Sequence, residues 1–368
     1  MAHADATTER TPLGRVIGLS LALAAVLAVI VLAFAWPSVT AEPKDLPIAI
    51  TGPAEAVSAA EDAVDQQSPG AIAFQEVSDR AAAVDAIEAR EAYGAIVLGP
   101  EPEVLTSSAS SLAVAQLLGN VARQLEEGVN AQATAAAAAA GAPAAPPHIA
   151  VPVTDVVPLA SSDPRGTGLT AALFPLVLGG MIGGIAISLV VIGAMRRVVA
   201  VLVYSAVGGV VLAAILQGWF GALQGDYWLN SAGIALALTA IAAPITGFVA
   251  LIGRAGIAVG PIVMLLFANP ISAAAIPKEF LPVPWGEVGQ WFPPGAAATL
   301  MRELSYFPSA DTTFPWLVLT GWAVGGILLS VLGHFRTAGG AEPDDEAAHA
   351  DDDAGDRAAL RQDPRVPA

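Results

Sequence analysis

Six stretches of the chain run without a single Asp, Glu, Lys or Arg: residues 16–36, 169–194, 198–221, 230–252, 256–272 and 314–335. As α-helices rising about 1.5 Å per residue, most are long enough to cross a hydrocarbon core of about 30 Å. Lipid offers no water to unpaired N–H and C=O groups, so such a segment must satisfy its own backbone, and a helix does so. The chain is 55% hydrophobic and 13% charged, against about 25% charged for ordinary soluble domains. The expected fold class is therefore a membrane α-helical bundle of six spans, with an extracytoplasmic α/β domain inserted after the first.

Arginine placement sets the orientation. Arg10 and Arg15 precede the first span, Arg196 and Arg197 fill the turn between the second and third, Arg254 the turn between the fourth and fifth, and Arg336 follows the last. If the spans alternate, all six lie on one side, which the positive-inside rule makes cytoplasmic. The expectation is a multi-pass plasma-membrane protein with residues 1–15 and an acidic tail, 336–368, both in the cytoplasm. Val39-Thr40-Ala41 has the small residues of a signal-peptidase site. The run before it is longer than the roughly 7–15 residues of a secretory signal, so 16–36 is expected to stay as the first span.

The net charge of −17 is concentrated outside the spans: residues 37–168 hold 17 acidic and 5 basic side chains, and residues 337–368 hold 9 and 3. Acidic surface of this kind is solvating and gives no footing for nucleic acid. With no cysteine, disulfides, thiolate metal sites and cysteine nucleophiles are excluded.

Residues 37–168 have the grammar of a small α/β unit. Strands are expected at 46–51, 71–77 and 95–98. Helices are expected at 54–67, then from a Ser78 or Asp79 cap to Tyr93 with Gly94 ending it, then at 112–132. The Ala/Pro tract at 134–148 reads as a linker. Its His148 and the acidic pairs of the helices form no catalytic constellation, so the unit is expected to bind or gate rather than catalyse, and no cofactor is implied.

The spans are nearly free of ionisable groups, which disfavours a proton-coupled carrier. Gln217 is the candidate polar residue of a pathway. Gly179, Gly180, Gly183 and Gly184 form overlapping small-xxx-small pairs, and Gly321 and Gly325 another, a spacing that brings helices close within a subunit or across a homodimer seam. No GxxxxGK[ST] loop is present, so ATP hydrolysis would fall to another protein.

The stretch KEFLPVPWGEVGQWFPPG, from Lys278, is too proline-rich for a spanning helix and too aromatic for a water-washed loop. Within 273–313 it reads as an interfacial or re-entrant cap at the outer face, where Trp285 and Trp291 suit headgroup depth. Asn269, Pro270, Pro282, Trp285, Trp291, Pro293 and Pro294 are its candidate gate positions.

The run FANPISAAAIPKEFLPVPWGEVGQWFPPGAAATLMRELSYF (Phe267 to Phe307), the long insertion after the first span, and the five spans that follow it resemble the permeases of ABC-2-type exporters. GAIVLGPE and LTSSASSLAVAQLL, between Gly94 and Leu118, resemble the ectodomain of the phage-infection-protein branch of that family. The resemblance implies a permease subunit that exports a hydrophobic or amphipathic substrate among membrane lipids, driven by a separate ATP-binding subunit, in a dimer. The alternative is a surface receptor or envelope scaffold whose ectodomain binds a ligand.

Overall fold

The computed structural model describes residues 11–140 and 146–338. The first ten residues, part of the expected linker (141–145) and the acidic tail from 339 lie outside the described residues.

Helix α1 (Leu13–Val39) leads into a five-stranded sheet. Its strands are β1 (Leu46–Thr51), β2 (Ile72–Glu76), β3 (Gly94–Val97), β4 (Glu103–Thr106) and β5 (Val153–Asp155), in the order β2-β1-β3-β4-β5. β1 is parallel to both β2 and β3, β3 and β4 are antiparallel, and β4 and β5 are parallel. Alternate side chains of a strand face opposite sides. Leu46, Ile48 and Ile50 accordingly pack with Val57 of α2 (Ala54–Gln67) and with Val114 and Leu118 of α4 (Leu112–Ala139). Ala49, Ala95 and Leu105 pack on Ala83 and Ile87 of α3 (Arg80–Glu88). With both faces covered, the central strands read as apolar runs rather than alternating ones.

Several elements differ from the sequence reading. α3 is capped by Asp79, whose carboxylate accepts from the Ala82 N–H at 2.9 Å, but it stops at Glu88 and not at Tyr93. Arg90 takes a left-handed φ of 61° there, and Gly94 opens β3 rather than closing the helix. α4 runs on to Ala139, into the tract read as a linker, because a run of alanines is a strong helix former whatever its complexity. The return strand is tied to α4 by a reciprocal pair: Asn130 donates to Ile149 O at 2.7 Å and accepts from Ile149 N at 2.9 Å.

The rest is helical: α5 (Thr167–Val190), α6 (Ala194–Ala213), α7 (Tyr227–Ile252), two short helices α8 (Trp285–Gln290) and α9 (Pro293–Tyr306), and α10 (Thr313–Ala338). Among the described residues five helices are long and apolar enough to cross a membrane: α1, α5, α6 with its π-helical end, α7 with its 3₁₀ end, and α10. The run expected as the fifth of six spans, 256–272, is not one continuous α-helix. It is a 3₁₀ segment, Gly253–Ala258, and a π-helix, Pro261–Ala268. Pro261 brings no N–H to the ladder, and Gly256 lets the chain fold back hard on α7, where a Cβ would stand 2.4 Å from the Phe248 carbonyl carbon.

α7 is the axis of the bundle, buried nearly all round by α5, α6 and α10. Small residues permit this closeness. A Cβ on Gly183 would enter the Tyr204 ring, and one on Gly184 would meet the Ala242 backbone. On α10, Gly326 is pressed against Ala243 and Pro244, whereas Gly321 and Gly325 face open space. α1 is apolar and exposed along its length, the condition of a helix that expects lipid around it. A methyl on Gly326 would lie 2.3 Å from the Pro244 nitrogen. Gly326→Ala should therefore destabilise the bundle by about 1–3 kcal/mol of overpacking. Thermal melting in detergent checks it, with Gly321→Ala expected to leave the midpoint unchanged.

Candidate functional site

The segment 273–313 closes one end of the bundle, and its chemistry follows from how it is cut by proline. Pro293 and Pro294 sit in the first turn of α9, where a missing N–H costs nothing. Pro282 offers its carbonyl to Trp285 N at 2.8 Å at the start of α8. The prolines thus start short helices rather than merely preventing long ones. Asn269 and Pro270 form the turn after the π-helix, the Asn269 carbonyl accepting from the Ser272 hydroxyl at 2.7 Å.

Aromatic rings bind this cap to the bundle. Phe267 stands edge-on to Trp285 (6.0 Å) and to Phe292 (5.3 Å), and Phe292 meets Trp322 of α10 at 5.6 Å. Trp322 donates its indole N–H to the Trp291 carbonyl at 2.8 Å. Trp291 itself is 63% exposed and stands edge-on to Phe314 at 5.0 Å.

The sheet unit is docked on the same cap. Arg90 Nη1 donates to Glu303 Oε1 at 2.9 Å, with side chains only 14% and 10% exposed, and its guanidinium lies over Phe307 at 5.8 Å. Tyr93 donates its hydroxyl to Glu279 at 2.8 Å. Burial, and next the Glu279 charge, push the Tyr93 pKa up, so the phenol keeps the proton it donates. The chain leaving α1 adds two main-chain bonds, Glu42 N to Phe280 O (3.2 Å) and Lys44 N to Glu279 O (3.0 Å). Losing one partner of a buried ion pair costs about 3–5 kcal/mol, since the other charge stays buried and alone. Removing either partner of the Arg90–Glu303 pair should therefore loosen the sheet unit from the cap.

Between them lies a chamber of about 580 Å³, lined by Arg90, Tyr93 and Glu91 on one side and Glu279, Gln290, Arg302 and Glu303 on the other. Trp291 and Phe314 belong to its wall and also to that of an apolar groove of about 630 Å³, which runs along α7 and α10 past Phe248, Leu317, Gly321 and Gly325. A charged chamber and an apolar groove therefore share one aromatic rim. A second apolar cavity, about 350 Å³, lies between α5, the end of α6, α7 and Met301 of α9.

The residues singled out in the sequence fall in several places. Trp291 is on the rim. Trp285, Pro282, Pro293 and Pro294 build the cap beneath it, as do Asn269 and Pro270. Gln217 is elsewhere, in the π-helical turn after α6, where it donates to Gly225 O at 2.9 Å and accepts from Asn230 at 3.0 Å. Its polar atoms hold the turn between α6 and α7. Gly179 accepts the Tyr204 hydroxyl at 2.8 Å through its carbonyl, and Gly180 packs on Ile241. Arg197 donates to Val191 O and Arg336 to Leu251 O, closing the end of the bundle remote from the cap, where Arg196 and Arg254 also lie. Arg15 lies in the first turn of α1.

Of the chamber's charges, Arg90, Glu279, Arg302 and Glu303 were not identified from sequence. The available signal was contrast: Arg302 and Glu303 are the charged pair in the otherwise uncharged run between Phe292 and Phe307. No protein-family model, curated protein or solved structure matches this chain.

The Glu303 pKa is raised, by burial first, against the opposing pull of Arg90. A carboxyl whose folded pKa exceeds its unfolded one adds stability that is present at low pH and lost as pH rises through the folded value. Relative to Glu303→Gln, which cannot titrate, the protein should therefore be more stable at pH 5 than at pH 7. Paired melting curves across that range check the sign; an ordinary exposed salt bridge would give the opposite one.

Proposed function

We propose that the chain is an integral plasma-membrane permease subunit of an ABC-2-type exporter, and that it moves a hydrophobic or amphipathic substrate with energy from a separate ATP-binding subunit. The observation that carries this reading is the rim shared by the charged chamber and the apolar groove, since an amphiphile needs both environments in one step. In this reading the sheet unit and the cap face the exterior, and the arginines at the far end of the bundle face the cytoplasm. The broken run from Gly253 to Ser272 serves as the sixth crossing: it returns along α7, with Gly260 against Ile245 and Met264 beside Ile241. The subunit itself does no covalent chemistry.

One observation favours a second reading, a surface receptor or envelope scaffold. Only residues 191–193 join α5 to α6, which leaves little surface there on which an ATPase could push. Affinity purification in mild detergent from native membranes separates the two. A stoichiometric partner carrying a P-loop is the expected result, while recovery of envelope proteins alone would favour the scaffold.

A further inference from the structure

Beside the chamber, on the other side of Arg302, lies a smaller cavity of about 110 Å³. Ser110, Ile276, Pro277 and Arg302 line both, so the two spaces are neighbours through these side chains. The lining of the smaller cavity has two arginines, Arg165 and Arg302, the serines 108, 110 and 111, and no carboxylate.

Three independent features make it an oxyanion site. α4 begins there: Ser111 is its N-cap, accepting from Val114 N at 3.3 Å, and Leu112 and Ala113 of the first turn, whose N–H groups a helix cannot satisfy internally, are among the lining residues. That end of a 28-residue helix carries about half a positive charge. Ser110 is 5% exposed, and its hydroxyl has no hydrogen-bond partner among the described residues. Arg302 forms no ion pair among the described residues; its one hydrogen bond there goes to Ala274 O at 3.2 Å, which leaves most of its donors unused. Burial lowers the Arg302 pKa to about 10, so at neutral pH it still holds its charge. Of the acidic neighbours, Glu303 is paired with Arg90, while Asp155 accepts from Ser108 (2.5 Å) and Asp163 from the first N–H groups of α5.

We infer that this cavity binds the phosphate of an anionic lipid, whose polar linkage crosses the chamber and whose acyl chain leaves over the Trp291–Phe314 rim into the groove on α7 and α10. Phosphate suits the site because fixed N–H groups, hydroxyls and a guanidinium fork match its several acceptor oxygens. A lipid, rather than free phosphate, is the occupant that also fills the apolar groove joined to the site. As the substrate class of the transporter this rests on the permease reading; as a binding site it does not.

The test uses the full chain in lipid-free detergent, with dioleoyl phosphatidic acid, dioleoyl phosphatidylcholine and inorganic phosphate as probes and thermal stabilisation and native mass spectrometry as readouts. Phosphatidic acid is expected to bind at least tenfold more tightly than phosphatidylcholine, and Arg302→Gln to remove that preference. In case Arg302→Gln does not fold, Arg165→Gln on the exposed wall is expected to weaken phosphatidic acid severalfold. Gly321→Trp, which fills open space in the groove, is expected to weaken the lipid and leave inorganic phosphate unchanged. Equal stabilisation by inorganic phosphate and the lipid, or indifference of the lipid to Gly321→Trp, would overturn the lipid assignment. Unchanged binding in Arg165→Gln and Arg302→Gln would overturn the site. Lipid binding without a co-purifying ATPase would leave the site standing and end the exporter reading, and the converse would do the reverse.

Discussion

An apolar bundle cannot hold ionised groups at its centre cheaply, so the charges it uses must gather at its ends. In this chain they gather at the cap, and the buried Arg90–Glu303 contact organises that end. It fixes the sheet unit over the prolines of α8 and α9 and sets the walls of the chamber, while Arg302 beside it forms no ion pair among the described residues. Phe307, under the Arg90 guanidinium, is fully buried at the same point. The pair contributes little net attraction after desolvation, but breaking it strands a charge, and this asymmetry makes it a positioning device.

The membrane-type helices show the other half of the arrangement. α7 is close-packed because its neighbours present glycine and alanine, so the middle of the bundle is rigid. The space is left at the edges, in the groove beside Gly321 and Gly325 and in the cavity beside Pro175. Rigid centre, open apolar flanks and a polar chamber at one end make a surface suited to amphiphiles. Trp285, Trp291 and Trp322 cluster at that end, where indole rings combine an apolar body with one N–H donor.

Much of the fold was legible in the sequence because it follows from local rules. Uncharged runs of spanning length named four of the bundle segments and α1. Leu46–Thr51 and Ala54–Gln67 appeared with the bounds expected of them, and Asp79 capped its helix. What was not legible depends on neighbours. β4 and β5 are too short to announce themselves, and they exist because β3 offers an edge. The alanine tract that looked like a linker is helix as far as Ala139. The run at 256–272 has span-like composition, but Gly256 and Pro261 wind it as 3₁₀ and π turns against α7. The candidate site was half visible: aromatics and prolines pointed to the cap, while Arg90 and Glu303, more than 200 residues apart, could be paired only by the fold.

Lipid at the rim between chamber and groove is what unites these features. A photo-crosslinking amino acid in place of Phe314, activated in native membranes, tests it directly, since this ring stands at the junction and is 42% exposed. The expected product is an adduct with the mass of a phosphate-bearing lipid, lost when Arg302 is replaced by Gln. An adduct only with a second copy of the chain, joined across the Gly321–Gly325 face, would contradict it and make the groove a subunit seam.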